Sequence, residues 1–213
     1  MQVNGSGDFT LPSALEIRNG SCHTCIMDKQ ITPFPREFYN RDAERVARDL
    51  LGTHLSHEVD GVMRVGRVVE TEAYLGPHDL AAHSSKGRTP RTEVMFGPPG
   101  FAYVYLIYGI YHCLNAVTGA QGHASAVLIR AIHPIANLEG KTQGPGLLCR
   151  ALGVDRRHNG LDLVNGPVTF SAALRPQSFR VVERPRIGVD YAGEWADKPL
   201  RFYVEGDPFV SRK

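Results

Sequence analysis

The sequence predicts a single mixed α+β domain. One amphipathic helix precedes a long series of strand-like segments, no internal repeat is present, and no linker-like stretch follows residue 35. A chain of 213 residues is long enough for one domain with a substantial core. Residues 1–36 show no sustained hydrophobic period. We therefore predict an N-terminal arm over 1–36, partly disordered or draped on the domain, and the domain itself over 37–213.

The predicted elements follow from local patterns. Apolar residues spaced i, i+3, i+4 and i+7 predict a helix from Asp42 to Leu51, which Gly52 ends. Asp60-Gly61 between two strand-like runs predicts a hairpin with strands over 53–59 and 62–74. The remaining predicted elements are strands over 101–108 and 124–132, a short helix over 144–153 and short strands near the end of the chain.

Composition and charge exclude several classes of protein. Hydrophobic residues make up 42% of the chain and charged residues 22%, which is typical of globular domains. No apolar run approaches the roughly 20 residues that cross a bilayer, and the polar N-terminus lacks the apolar core of a signal peptide, so we predict a cytosolic protein with no membrane partner. The net charge is only +2, which does not by itself indicate nucleic-acid binding.

The basic residues are nevertheless clustered, and the clusters allow two interpretations. They either line one phosphate-facing surface or are separate solvated patches. The clusters comprise Lys86, Arg88 and Arg91; Arg150, Arg156 and Arg157; and Arg175, Arg180, Arg184 and Arg186.

Cysteine is sparse and does not indicate a cofactor. Cys22 and Cys25 form a C-x-x-C pair, which could begin a zinc site or be a redox pair. A zinc site would need two more ligands, but Cys113 and Cys149 lie in apolar surroundings and have the pattern of buried small hydrophobic residues. We predict no metal and no other cofactor.

The segment from Val68 to Tyr74 carries the strongest signal of chemistry. The two-residue strand period places Glu70, Glu72 and Tyr74 on one face. Two carboxylates on the buried face of a strand are costly unless they are paired. Taken alone, the segment allows two interpretations: the acids form salt bridges at a strand end, or at least one of them serves catalysis.

A second informative segment is rich in tyrosine. Phe101, Tyr103, Tyr105 and Ile107 share one face of a predicted strand, and Tyr108-Gly109 follows as a turn that could present a ring to solvent. Such a stripe either packs in a core or forms a platform for stacking bases.

These segments, with other motifs in the same order, resemble the alkyladenine (methylpurine) DNA glycosylases from about residue 37 to 211. The matching motifs are Val69-Glu70-Thr71-Glu72-Ala73-Tyr74, Ala81-Ala82-His83-Ser84, Met95-Phe96, Tyr103-Val104-Tyr105, Tyr108-Gly109, Asn115, Arg130-Ala131, Gly144-Pro145-Gly146 and Ala192-Gly193-Glu194-Trp195. The resemblance implies a curved antiparallel sheet with flanking helices and a protruding β-hairpin.

The resemblance also implies a function. A damaged purine is rotated out of duplex DNA, and its N-glycosidic bond is hydrolysed to leave an abasic site. The implied substrates are 3-methyladenine, 7-methylguanine, hypoxanthine and ethenoadenine, and the implied enzyme is a monomer that does not nick the strand. By the same resemblance Tyr108 fills the space that the base leaves, and Tyr74, His83 and Tyr105 line the base pocket.

The resemblance assigns the chemical roles as well. Glu72 would activate the attacking water, and Arg130 and the backbone carbonyl of Ile187 would help to hold that water. Asn115 would exclude normal guanine by crowding its amino group. Glu70 would be a supporting neighbour.

The chain departs from the family pattern at three places. The stretch from Leu138 to Gly144 is short, Leu147 stands where a phosphate-contacting lysine is common, and residues 1–36 have no counterpart. Two other functions are compatible with parts of the pattern: a non-catalytic binder of damaged DNA, and a hydrolase of free nucleosides. The presence of Glu72 and Arg130 disfavours the binder, and a nucleoside hydrolase would have little need for a wedge at a hairpin tip.

Overall fold

The computed structural model describes residues 32–173 and 178–213. Most of the predicted arm, including Cys22 and Cys25, lies outside these residues, as does Arg175. The described helices and strands are α1 (Arg36–Tyr39), α2 (Ala43–Leu50), β1 (His54–Val59), β2 (Val62–Tyr74), β3 (Ala102–Ile107), β4 (Tyr111–Thr118), β5 (Ser125–Ala136), α3 (Pro145–Leu152), β6 (Val168–Ser171), β7 (Val181–Arg184) and β8 (Arg201–Val204).

The eight described strands form one antiparallel sheet, with few helices around it, and this confirms the predicted α+β class with a curved antiparallel sheet. The strand order is β3-β4-β5-β2-β1-β6, and β8 also pairs with β2 and carries β7. The long strand β2 is central because β5 borders one side while β1 and then β8 border the other. From Glu70 to Glu72, the acid-rich segment therefore pairs with a strand on each side, β5 on one and β8 on the other.

Helix α2 forms where the sequence predicts it. The Asp42 carboxylate accepts hydrogen bonds from the backbone N–H groups of Glu44 and Arg45, which satisfies donors that the helix itself leaves free. The apolar face is fully or almost fully buried, and it packs against β2 and β5 with the main core. The helix thus covers the face of the sheet opposite to the one that carries Glu70 and Glu72, since Thr71 donates its hydroxyl to the carbonyl of Ala47.

The hairpin between β1 and β2 is also confirmed. Val59 pairs directly with Val62, so the loop consists of Asp60 and Gly61 alone. Both residues have positive φ, 51° and 75°. A type I′ turn, whose twist matches that of the two strands, requires positive φ at both positions. This tight turn fixes the register of β2 and hence the face on which its carboxylates lie.

The pairing of β2 with β5 is interrupted at the acid-rich segment. Opposed pairs pass from Glu70 and Ala131 to Thr71 and Ile129, which leaves Arg130 without a directly opposed residue on β2. A β-bulge of this kind redirects one side chain without ending the ladder. The Arg130 guanidinium consequently reaches both Glu70 and Glu72.

Helix α3 packs against β4 and β5. It begins at Pro145, and its first turn contains Gly146, where a Cβ atom would lie 2.6 Å from the ring of Tyr111. Only glycine allows the helix to approach the strand this closely. Among residues 32–173 and 178–213, no helix has the length and apolar character needed to span a bilayer.

Candidate active site

A cavity of about 320 Å³ opens beside β3, β4 and β5. Seven of the eight site residues predicted from the sequence line it, namely Tyr74, His83, Tyr105, Tyr108, Asn115, Arg130 and Ile187. The eighth, Glu72, is fully buried and contacts three of these lining residues. The structure thus brings together side chains that are separated by more than a hundred residues in the sequence.

Glu72 is held by donors on both of its oxygens. The backbone N–H of Ile187 donates to Oε1 at 2.8 Å, and Arg130 Nη1 lies 3.2 Å from the same atom. The Tyr74 hydroxyl donates to Oε2 at 2.9 Å. A carboxylate can accept about four hydrogen bonds, so these three contacts do not use all of its acceptor capacity. The three contacts therefore stabilise the buried negative charge of Glu72 and fix the orientation of its carboxylate.

Tyr74 keeps its proton in this site. Burial, followed by the nearby charge of Glu72, raises the pKa of the Tyr74 hydroxyl well above its usual range. The hydroxyl is therefore a donor to Glu72 at any physiological pH, and the hydrogen bond holds the ring in place.

An ion pair behind Tyr74 supports that ring. Arg186 and Asp79 form a bidentate pair whose side chains are both fully buried, and the guanidinium lies 4.8 Å from the centroid of Tyr74. Arg186 also donates to the carbonyl of Ala73 at 2.9 Å. The pair, which we call the Asp79–Arg186 clamp, therefore joins the end of β2 to the segment that carries Ile187.

The clamp corrects one interpretation of the basic clusters. Arg186 is only 5% exposed, so it cannot belong to a phosphate-facing surface. Arg88 and Arg157 are exposed but form ion pairs with Glu93 and Asp155. Arg91 lies near the cavity instead, with its guanidinium carbon 5.3 Å from the centroid of Tyr105. The three clusters are thus not one uniform surface.

His83 is fixed by a neighbouring tyrosine. Its Nδ1 atom lies 2.9 Å from the Tyr103 hydroxyl, and its ring packs edge to face with Tyr105 at 4.6 Å between centroids. We assign the Tyr103 hydroxyl as the donor to Nδ1, which places the imidazole proton on Nε2. Burial, and then the charge of Arg91, lowers the pKa of His83 to about 4.

We expect the His83 imidazole to remain neutral down to about pH 5, whereas an unperturbed histidine protonates near pH 6.5. Nitrogen-15 NMR of the ring would show the Nε2–H tautomer throughout this range. Because the unfolded chain binds this proton first, folding stability contributed by His83 is complete above pH 6.5 and is lost as the pH falls towards 4. The matched control is Tyr103→Phe, which removes the hydroxyl that donates to Nδ1. Protonation of His83 near pH 6.5 in the unmodified protein would contradict the lowered pKa.

Tyr108 occupies an unusual position in the turn between β3 and β4. It is 89% exposed, and its φ is 50°, followed by 70° at Gly109. A bulky residue in the left-handed region costs about 1–2 kcal/mol, which Asn or Gly would largely avoid. An exposed aromatic ring held at a strained position indicates a functional use for the ring.

Asn115 lies on the cavity wall with its orientation fixed. Its side-chain nitrogen donates to the carbonyl of Tyr103 at 2.9 Å, across the β3–β4 pair. Sequence reasoning assigned no role to several other lining residues, among them Met95, Tyr103, Cys113 and Tyr191. Tyr103 could have been found, because it shares a strand face with Tyr105, and Met95 lies in one of the matching motifs; Cys113 and Tyr191 gave no local signal.

Comparisons with known proteins show the family to which the chain belongs. A family model described as Methylpurine-DNA glycosylase (MPG) matches residues 37–208.

Similar proteins come from several bacteria, and each is named "Putative 3-methyladenine DNA glycosylase". A Legionella pneumophila (strain Lens) protein is 54% identical over 178 residues, covering 84% of this chain and 97% of the relative. An Anaeromyxobacter sp. (strain Fw109-5) protein is 56% identical, covering 83% and 91% respectively. A Myxococcus xanthus protein is 55% identical, covering 84% and 93%. This chain belongs to the methylpurine-DNA glycosylase family and is a DNA glycosylase.

Proposed function

We propose that this protein is a monofunctional DNA glycosylase of base excision repair that acts on alkylated or deaminated purines in duplex DNA. The proposed substrates are 3-methyladenine, 7-methylguanine, hypoxanthine and ethenoadenine. The observation that carries the proposal is the buried Glu72, held by Arg130, Tyr74 and Ile187 behind an aromatic cavity whose rim includes the exposed Tyr108.

The proposed reaction needs the base outside the duplex, because the sugar carbon that is attacked is inaccessible in stacked DNA. Tyr108 enters the stack and occupies the space of the extruded nucleotide. The base enters the cavity between Tyr74 and Tyr105, where electron-rich rings favour electron-poor, cationic lesions. His83 meets the base edge as a neutral imidazole with a donor at Nε2.

In the chemical step Glu72 removes a proton from a water that attacks the anomeric carbon. The C–N bond breaks as the C–O bond forms, and the purine leaves with the bonding electrons. The negative charge of Glu72 also stabilises the positive charge that develops on the sugar. Arg130 and the carbonyl of Ile187 orient the water. Since water is the nucleophile, no lysine adduct forms and the strand is not cleaved.

Asn115 would set selectivity against undamaged guanine. Its side chain is fixed on the cavity wall by the bond to Tyr103, so it cannot rotate away from a bulkier base. Discrimination by a clash of this kind needs a rigid residue rather than an additional attraction.

The test is release of free base from duplexes that each hold one proposed lesion, with Tyr108→Asn as the variant. Asparagine tolerates the positive φ of this turn, so the fold is kept while the ring is removed. We expect the unmodified protein to release base without strand nicking. We expect Tyr108→Asn to lose about 10-fold or more of its activity on duplex DNA, because filling the vacated space offsets an unstacking cost of a few kcal/mol.

The same lesions in single-stranded DNA are the control, because little unstacking is needed there. Tyr108→Asn should cleave single strands as fast as the unmodified protein does. Equal activity on duplex DNA would reject Tyr108 as the wedge, whereas tight binding without release of any base would favour the non-catalytic binder.

A further inference from the structure

A second carboxylate, Glu70, is as fully buried as Glu72 and lies two residues before it on β2. Its Oε1 atom accepts from Arg201 Nη1 at 2.9 Å and lies 3.5 Å from Arg130 Nε. Its Oε2 atom accepts from the backbone N–H of Ser211 at 2.7 Å. A buried charge needs such partners, and here they come from two strands and from the C-terminal segment.

Arg130 is shared between the two carboxylates. Nε faces Glu70 and Nη1 faces Glu72, and in the described residues Nε has no hydrogen-bond partner of its own. The guanidinium is planar and rigid, so the position of one nitrogen fixes the others. The charge of Glu70 therefore sets the direction in which Arg130 approaches Glu72.

Glu70 is in turn fixed by the end of the chain. Arg201 Nη1 also donates to the carbonyl of Arg212 at 2.7 Å, and its Nε donates to the carbonyl of Pro185 at 3.0 Å. Ser211 and Arg212, which we call the tail latch, thus hold Glu70 and Arg201 together. Both latch residues lie beyond residue 208, where the match to the family model ends.

The charges in this cluster balance, with Glu70 and Glu72 facing Arg130 and Arg201. In a balanced buried cluster, loss of one partner redistributes the remaining contacts instead of removing a single bond. If the latch no longer held Glu70, the Arg130 guanidinium would move with it, and the distance to Glu72 would change.

We propose that Glu70, Arg201 and the backbone N–H of Ser211 are positioning groups for catalysis, which act by fixing Arg130 against Glu72. The backbone of the tail latch thus supports the site from outside the cavity, whereas the Ser211 hydroxyl, which has no hydrogen-bond partner in the described residues, takes no part. This inference rests on the proposed function, because it assigns the latch to the same water-activating site.

The experiment compares Ser211→Pro with Ser211→Ala in the full chain. Proline removes the N–H that donates to Glu70 together with the hydroxyl, and it fixes φ at residue 211, whereas alanine keeps the N–H and removes the hydroxyl alone. Under single-turnover conditions with saturating enzyme, we expect Ser211→Pro to release base about 10-fold more slowly, less than the 100-fold that a 1 Å misplacement can cost. Ser211→Ala should match the unmodified protein, and both variants should bind lesion DNA equally well.

Two further measurements separate positioning from folding and from the proposed function. Glu70→Gln keeps the shape of the side chain but loses the charge that orients Arg130. It should therefore release base as slowly as Ser211→Pro does, with unchanged DNA affinity. All variants are compared at a temperature where circular dichroism shows them to be folded. The Arg130 Nε–H resonance reports the latch without catalysis, and it should shift in Ser211→Pro but not in Ser211→Ala.

The outcomes are distinguishable. Equal release rates for Ser211→Pro, Ser211→Ala and the unmodified protein, or an Arg130 resonance unchanged by Ser211→Pro, would overturn the latch and leave the glycosylase assignment intact. Slow release together with equally weakened DNA binding would also overturn it, because a general loss of structure would then explain both. Absence of release from every lesion by the unmodified protein would instead reject the proposed function.

Discussion

Replacing Glu72 with glutamine is expected to slow base release by about 10²–10⁴-fold, the range that a positioned general base contributes. Glutamine has the same shape, and its oxygen still accepts from the Ile187 N–H, while its amide can donate to the oxygen of Tyr74. The change therefore removes the ability to accept a proton and the negative charge, but it leaves the cavity intact. The measurement is the single-turnover rate on a duplex with one hypoxanthine or ethenoadenine.

The control is the affinity of Glu72→Gln for the same duplex. Because Glu72 is fully buried behind the lining residues, its loss should leave the DNA dissociation constant nearly unchanged. Release at the rate of the unmodified protein would show that another group activates the water. A loss of binding in parallel with the rate would show that the substitution had disturbed the cavity.

Replacing Arg186 with leucine is expected to lower the free energy of unfolding by about 3–5 kcal/mol, because it leaves the buried carboxylate of Asp79 without its charge partner. Both side chains of the clamp are fully buried, so solvent cannot compensate the remaining charge. Urea unfolding at pH 7, followed by circular dichroism, measures the change.

The exposed pair of Arg88 and Glu93 offers a matched control. Its closest nitrogen–oxygen distance is 2.6 Å, yet its side chains are 61% and 56% exposed, so Arg88→Leu should change stability little. The double variant Asp79→Asn with Arg186→Leu should be less destabilised than Arg186→Leu alone, since no unpaired charge remains and the asparagine oxygen can still accept from one of the two backbone N–H groups, of Leu75 and Ala81, that Asp79 binds. Equal losses for the buried and exposed pairs would contradict the importance assigned to the clamp.

Local patterns predicted the parts of this structure that local forces determine. The spacing of apolar residues and the capping Asp42 gave helix α2, and Asp60-Gly61 gave the first hairpin, because each depends on a few neighbouring residues. The two-residue strand period placed Glu70 and Glu72 on one face, and both contact Arg130 in the structure. The resemblance then selected the residues that line the cavity.

Other features depend on contacts that no local pattern encodes. Asp79 and Arg186 are 107 positions apart, and Glu70 and Ser211 are 141 apart. Arg186 was consequently grouped with the surface arginines by its sequence neighbours, although the fold buries it. The partner that compensates a buried charge can lie anywhere in the sequence, so only the tertiary structure shows which residue it is.

The bulge at Arg130 makes the site sensitive to strand length. Deleting one residue of β5 between Val127 and Arg130 would remove the offset that lets Arg130 face the two carboxylates, and a one-residue slip moves every side chain beyond it to the opposite face. Insertions in surface loops other than the Asp60-Gly61 turn leave this register untouched. We expect natural variation in chain length to be confined to the loops, and the stretch from the bulge to Tyr74's partner Ala126 to keep a constant number of residues.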